Sequence, residues 1–279
     1  MMEDFRKLDV PALKDMARTI RTDIVKMVHA AGSGHPGGSL SATDIATALY
    51  FNVMNIRPEQ PHWEDRDRFV LSKGHCCPVL YACLGRRGYF DVAELNTLRK
   101  FGSKLQGHPD MHKCPGVEMS AGTLGNGLGC AVGMALAGRL QDKAYKIFVL
   151  LGDGECQEGS VWEAAMCGSH HKLTNLIAIV DVNRLQILDT TAKVMNVAPL
   201  ADKWRSFGWK VLEINGHDMG QVVATLDYAK VIDGPVVILA DTVKGKGISF
   251  MENVVKWHGA APSDKELELA IKEIEGVAA

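Results

Sequence analysis

The chain has 279 residues, 47% hydrophobic and 23% charged, and 31 basic against 33 acidic side chains leave a net charge of −2. That balance is ordinary for a globular protein. It excludes nucleic acid and an anionic membrane surface as main partners, because both require a surplus of positive charge. No apolar run approaches the roughly 20 residues of a membrane span, and the opening Met1-Met2-Glu3-Asp4 has no signal-segment character. The seven cysteines are odd in number and form no Cys-x-x-Cys pair. Reduced thiols in a cytoplasmic protein are therefore expected, with no redox or zinc role.

Leu13, Met16, Ile20, Ile24, Met27 and Ala31 recur at three-to-four spacing. They predict an amphipathic helix over Val10 to Ala31, ended by Gly32-Ser33-Gly34. A second helix is expected after Ser41, where Ser41 and Asp44 have capping-box spacing, and runs toward Asn52. Pro58 to Asp67 reads as a polar loop leading into the apolar run Arg68-Phe69-Val70-Leu71. The small residues of Gly129 to Gly138 read as a helix packed closely against its neighbours. From Tyr145 onward, Lys146 to Leu151, Leu176 to Val182, Val211 to Asn215 and Pro235 to Asp241 read as buried strands. Glu158 to His171, Leu200 to Phe207, Met219 to Lys230 and Asp264 to Glu275 read as helices. This alternation predicts an α/β fold, a parallel sheet with helices on both faces and right-handed crossovers. No linker divides the chain, so a single domain over 1–279 is expected. Ligands of such sheets bind beyond the carboxyl ends of the strands, which directs attention to the loops after Leu151, Val182 and Asp241.

The first of those loops is Gly152-Asp153-Gly154, where flanking glycines let the backbone turn sharply and approach a ligand. The next strand ends at Asn183. Adjacent parallel strands would place the Asp153 carboxylate beside the Asn183 amide oxygen. With the Leu185 carbonyl, these offer three of the roughly six oxygens magnesium takes, leaving the rest to a diphosphate and water. Taken alone, a plain turn and a strand cap explain the same residues equally well.

Further motifs decide between the two. They are Ser33-Gly34-His35-Pro36-Gly37-Gly38, Asp65 to His75 ending in Lys73-Gly74-His75, Gly107-His108-Pro109, Gly122-Thr123-Leu124-Gly125-Asn126-Gly127, and Glu155-Cys156-Gln157-Glu158-Gly159. Together with Gly152-Asp153-Gly154 and Asn183, they resemble the thiamine diphosphate enzymes, and among them the transketolase family. The likeness runs in family order from about residue 10 to 262.

The resemblance implies a metal site of Asp153, Asn183 and Leu185 for Mg2+, with Ca2+ or Mn2+ as substitutes. It implies that His75 and His258 contact the diphosphate and Gly154 adds a backbone N–H, with Gly122, Leu124, Gly152 and Glu155 also in the thiamine diphosphate site. His35 and His108 resemble the catalytic pair that hydrogen-bonds ketose hydroxyls and the developing oxyanion, a task suited to imidazole. Glu158 and Glu163 resemble carboxylates that meet across the subunit interface and couple paired active sites. The match at Lys256-Trp257-His258-Gly259 is shorter. His112, His170 and His171 match nothing and read as solvent-facing or helix-end residues. Where the family often has Asp-Gly, this chain has Leu188-Asp189, which alters the segment flanking the cofactor.

By the same resemblance, the glutamate that activates the aminopyrimidine and the arginines that hold sugar phosphate belong to later domains. A chain ending at Ala279 has no room for them. The expected protein is the N-terminal subunit of a split transketolase, an α2β2 heterotetramer with a C-terminal transketolase subunit, working on sugar-phosphate substrates. Two alternatives are a cofactor-binding subunit of a 2-oxoacid dehydrogenase and a non-catalytic assembly or regulatory module. Gly125 to Gly129 lacks the last glycine of a dinucleotide fingerprint, and Lys244-Gly245-Lys246-Gly247 is not a phosphate-binding loop of nucleoside triphosphates.

Overall fold

A computed structural model describes residues 7–276, so the readings of Met1 to Asp4 and of the extreme C-terminus fall outside the described residues. Asp9 caps the first helix, accepting from the Ala12 N–H, Pro11 enters its first turn, and Gly32 ends it at φ 64°. This is α1 (Val10–Ala31), as the periodicity predicts. The next stretch differs from expectation. A short α2 (Pro36–Ser41) opens on a proline, and α3 (Thr43–Ala48) runs into a π-helical turn over Leu49–Val53. Ser41 therefore ends a helix instead of capping one, and its hydroxyl donates to Gly38 O and the Asp181 carboxylate. The signal for the earlier start is Pro36, since proline favours the first helical position.

The chain then forms β1 (Arg68–Leu71), α4 (Cys77–Arg87), α5 (Asn126–Leu140), β2 (Ile147–Gly152), α6 (Gly159–His170) and β3 (Leu176–Val182). It continues through α7 (Thr191–Val194), α8 (Leu200–Ser206), β4 (Lys210–Asn215), α9 (Met219–Ala229), β5 (Val236–Asp241) and α10 (Asp264–Glu275). The five strands are all parallel in the order β1-β2-β3-β5-β4. Alternate residues of the inner strands feed two separate cores. Phe148, Leu150, Ile177, Ile179, Val236 and Ile238 meet α1, α3, α4 and α9 on one face. Ile147, Val149, Leu151, Ala178 and Val180 meet α5, α6 and Trp204 of α8 on the other. Each fully buried Leu or Ile contributes on the order of 1.5–3 kcal/mol.

Two expectations need correction. The strand over Val211 to Asn215 forms but is not buried: β4 lies at the sheet edge, with Lys210, Glu213 and Asn215 exposed. The small-residue stretch is helical, yet only part of it packs tightly. A Cβ on Gly138 would meet the Tyr145 ring at 2.7 Å, whereas Gly129 and Gly133 face open space. No helix of the described residues is long and apolar enough to cross a membrane.

Candidate active site

The pairing of Gly152 with Asp181 and of Val182 with Asp241 brings the carboxyl ends of β2, β3 and β5 level. At that edge Asp153 accepts the N–H of Gly154 at 2.8 Å and of Arg184 at 2.7 Å. Asn183 Oδ1 accepts the Leu185 N–H at 3.2 Å, and the Leu185 carbonyl accepts from Lys244 Nζ at 2.9 Å. Asp153, Asn183 and Leu185 thus converge as their strand positions predict. Burial, and then the charge of Asp181, push the Asp153 carboxyl up to about 6.

A buried polar girder supports these loop starts. Asp181 pairs with Lys73 and also accepts from Ser41, Thr242 and Asn183 Nδ2. Burial alone would raise the Asp181 carboxyl, but Lys73 holds it below the usual carboxylate range. Glu155 accepts from the Ser72 hydroxyl and from the N–H groups of Gly125 and Gly152, so its carboxylate ties β1, β2 and the start of α5 together.

The helix entry at Pro36 and the short turn after β1 carry histidines into the same place. His35, His75 and His258 form a cluster with ring centroids 5.2 to 5.5 Å apart. Burial is the main cause of their low pKa values, about 4 for His35, about 4 for His75 and about 3 for His258. Neighbouring charge adds to the effect, from His75, Lys73 and Lys244 respectively. All three are neutral imidazoles near pH 7, able to accept one hydrogen bond and donate another. His108 is exposed at the mouth, its ring beside Gly122, and burial and His75 lower its pKa as well.

These residues line a cavity of about 600 Å3 that also includes Leu124, Gly154, Gln186, Ile187 and Leu188. Gly154, expected to offer its N–H to a ligand, donates it to Asp153. Glu158 stands exposed at the rim as the N-terminal flank of α6, and Glu163 is exposed one turn on. His112 and His170 are exposed, away from the cavity, as expected. The segment with Leu188-Asp189 is a tight hairpin in which Leu185 pairs with Thr190, leaving Ile187 and Leu188 protruding at its tip.

Several side chains of this site escape a reading of the sequence. Lys244 lies at the centre, its Nζ 2.7 Å from His258 Nδ1, and burial lowers its pKa. Gln157 donates to Gln186 Oε1 and the Met195 carbonyl, tying the hairpin to the turn after β2. The signal for Lys244 is its position three residues beyond a strand end; the signal for Lys73 is a charged partner inside the apolar strand β3.

Among the described residues no group of three or more His, Cys, Asp or Glu is arranged to hold a metal. A metal here would rely on one carboxylate and two neutral oxygens, a set that suits a hard cation sharing its shell with an anionic ligand. The raised carboxyl of Asp153 fits this, because it lacks a cationic side chain bonded to it and a nearby dication would favour its ionised form.

A family model described as the transketolase thiamine diphosphate-binding domain matches residues 12–278. The chain belongs to that family. It is 44% identical over 270 residues to one of the two-chain type, an apulose-4-phosphate transketolase subunit from Phocaeicola vulgatus, covering 96% of this chain and 95% of the relative. It is 42% identical to a 6-deoxy-6-sulfo-D-fructose transketolase subunit from a Clostridium species, covering 94% and 96%. Against human transketolase it is 41% identical over 98% of its own length but spans only 44% of that protein. The crystal structure of Campylobacter jejuni transketolase superposes with a TM-score of 0.91 at 35% identity, covering 97% of this chain and 43% of the other. Transketolase relatives thus come in two lengths, and this chain matches the short ones nearly end to end.

Proposed function

We propose that this transketolase-family chain is the N-terminal subunit of a two-chain transketolase that moves a two-carbon ketol unit from a ketose donor to an aldose acceptor. The observation that carries the reading is the neutral histidine cluster of His35, His75 and His258 set beside the Asp153–Asn183–Leu185 oxygens. Hydroxyl-rich substrates suit neutral imidazoles, and a diphosphate with its cation suits the oxygens beside Lys244. The relatives of similar length bear subunit names, which supports a separate partner chain.

Asp153, Asn183 Oδ1 and the Leu185 carbonyl would hold Mg2+, with His75, His258 and Lys244 against the diphosphate. Thiamine diphosphate, when bound, supplies the nucleophile and electron sink for carbon–carbon cleavage. The protein's own contribution is positional and electrostatic. His35 and His108 would orient donor hydroxyls and donate to the oxygen where negative charge develops, a contribution larger in the transition state than in the ground state. Ile187 and Leu188 shield one side of the cavity from water. The cluster keeps its histidines unprotonated, so they neither repel the cation nor need to shed a proton before accepting one.

The substrates are sugar phosphates, the partner is a C-terminal transketolase subunit in an α2β2 assembly, and the free thiols support a reducing cytoplasmic setting. Native mass spectrometry of the chain purified from its own cells, with thiamine diphosphate and magnesium, tests this. Two copies with two copies of a partner and bound cofactor are expected; a homodimer lacking both would overturn the reading.

A further inference from the structure

His217 lies between β4 and α9, outside the cavity, yet it is wired to the segment that presents Lys244. Its Nδ1 is 2.8 Å from Asp44 Oδ2, and its Nε2 accepts the Val243 N–H at 2.8 Å. Because Nε2 accepts a backbone proton, the ring's own proton must sit on Nδ1, facing Asp44. Asp44 is itself held by Arg21, whose Nη2 is 2.6 Å away and whose Nε donates to the Lys246 carbonyl at 3.2 Å. Burial alone would raise the Asp44 carboxyl, but Arg21 and His217 keep it low and ionised. One chain of contacts from α1 and α3 therefore grips the segment on both sides of Lys244, at Val243 and at Lys246.

The imidazole does not serve as packing. It lines a cavity of about 890 Å3 under the ends of β4 and β5 and another of about 250 Å3 toward α10. Its two hydrogen bonds, not surrounding atoms, set its place. The segment it grips is otherwise short of local order: it bears glycines at φ 81° and 93° (Gly245 and Gly247) and no regular element. An aliphatic stem as flexible as that of lysine reaches Leu185 and His258 reproducibly only if its backbone is fixed.

We infer that His217, oriented by Asp44 and Arg21, is a positioning residue that fixes the Val243–Lys246 backbone and so aims Lys244 at the diphosphate end of the site. The inference deepens the functional reading and rests on it for the role of Lys244.

The test pairs two measurements on the full chain with its co-purified partner. In His217→Phe, hydrogen exchange of residues 242–247 should quicken on the order of tenfold, while the strands exchange as in wild type. Thiamine diphosphate affinity, measured with magnesium by calorimetry, should fall by about tenfold, with kcat at saturating cofactor kept. His217→Gln, whose amide can accept from Val243 and donate to Asp44, should restore most of both. Unchanged exchange in 242–247, or exchange quickened equally throughout the sheet, would overturn the inference. If His217→Phe does not fold, Asp44→Asn carries the same test, with the same expected and overturning results. Exchange does not depend on the cofactor, so a wild-type chain that fails to bind thiamine diphosphate would count against the functional reading alone.

Discussion

Lys73 and Asp181 form an ion pair in which the lysine side chain is 3% exposed and the aspartate not at all. Such a pair is costly to break from one side, because the survivor is left charged without water. Lys73→Ala is expected to cost about 3–5 kcal/mol of folding stability. Equilibrium urea unfolding reads this directly, and a loss below about 1 kcal/mol would mean that Ser41, Thr242 and Asn183 suffice to hold the carboxylate.

Asp153 bonds only to backbone N–H groups, so it can be removed with little damage to packing. Asp153→Ala should lose magnesium-dependent binding of thiamine diphosphate by at least about a hundredfold while keeping the native circular dichroism spectrum. Unchanged affinity in calorimetry would sink the metal assignment.

His108 sits at the mouth, apart from the buried histidine cluster. Its replacement should act on turnover and not on cofactor hold. His108→Ala is expected to lower kcat by about 10²–10⁴ with a change in cofactor affinity of less than about threefold. Equal losses in both quantities would remove His108 from the catalytic pair.

The buried histidines give a pH signature. His75 has an ordinary value of 6.5 and is held at about 4 in the fold, by burial first and Lys73 second. The unfolded chain binds the proton more readily, so stability contributed by the neutral ring is present above pH 6.5 and is lost as pH falls to about 4. The melting temperature of wild type should therefore drop across that window more steeply than that of His75→Gln. Parallel slopes would show that His75 carries no such linkage.

The sequence is most legible where a residue's environment is dictated by its neighbours along the chain. Strands β2, β3 and β5 are apolar on consecutive residues because both faces are covered, and their boundaries lie within a residue or two of expectation. Strand β4 shows the limit: Val211, Leu212 and Ile214 resemble a core strand, and nothing local says that the strand lies at the edge. Ser41 shows another. Its hydroxyl answers to Asp181, far away in the chain, so its local spacing to Asp44 carries no weight. Within the site, Asp153, Asn183 and the histidines announce themselves through glycine-rich motifs, while Lys244 and Gln186 gain meaning only from residues that folding brings to them.

The backbone bond from the Gly245 N–H to the Gly37 carbonyl, and the close approach of Gly37 to the Trp257 carbonyl, join a loop near the start of the sequence to one near its end. Contacts of such long sequence separation form late, because the intervening chain must be ordered first. On the ribosome, the sheet through β3 can begin to assemble while Gly37, His35 and His75 still lack the strand and loop that complete their surroundings. The ligand-binding surface is thus withheld until translation has passed His258, and a nascent chain stalled before that point offers a folded sheet with no working pocket.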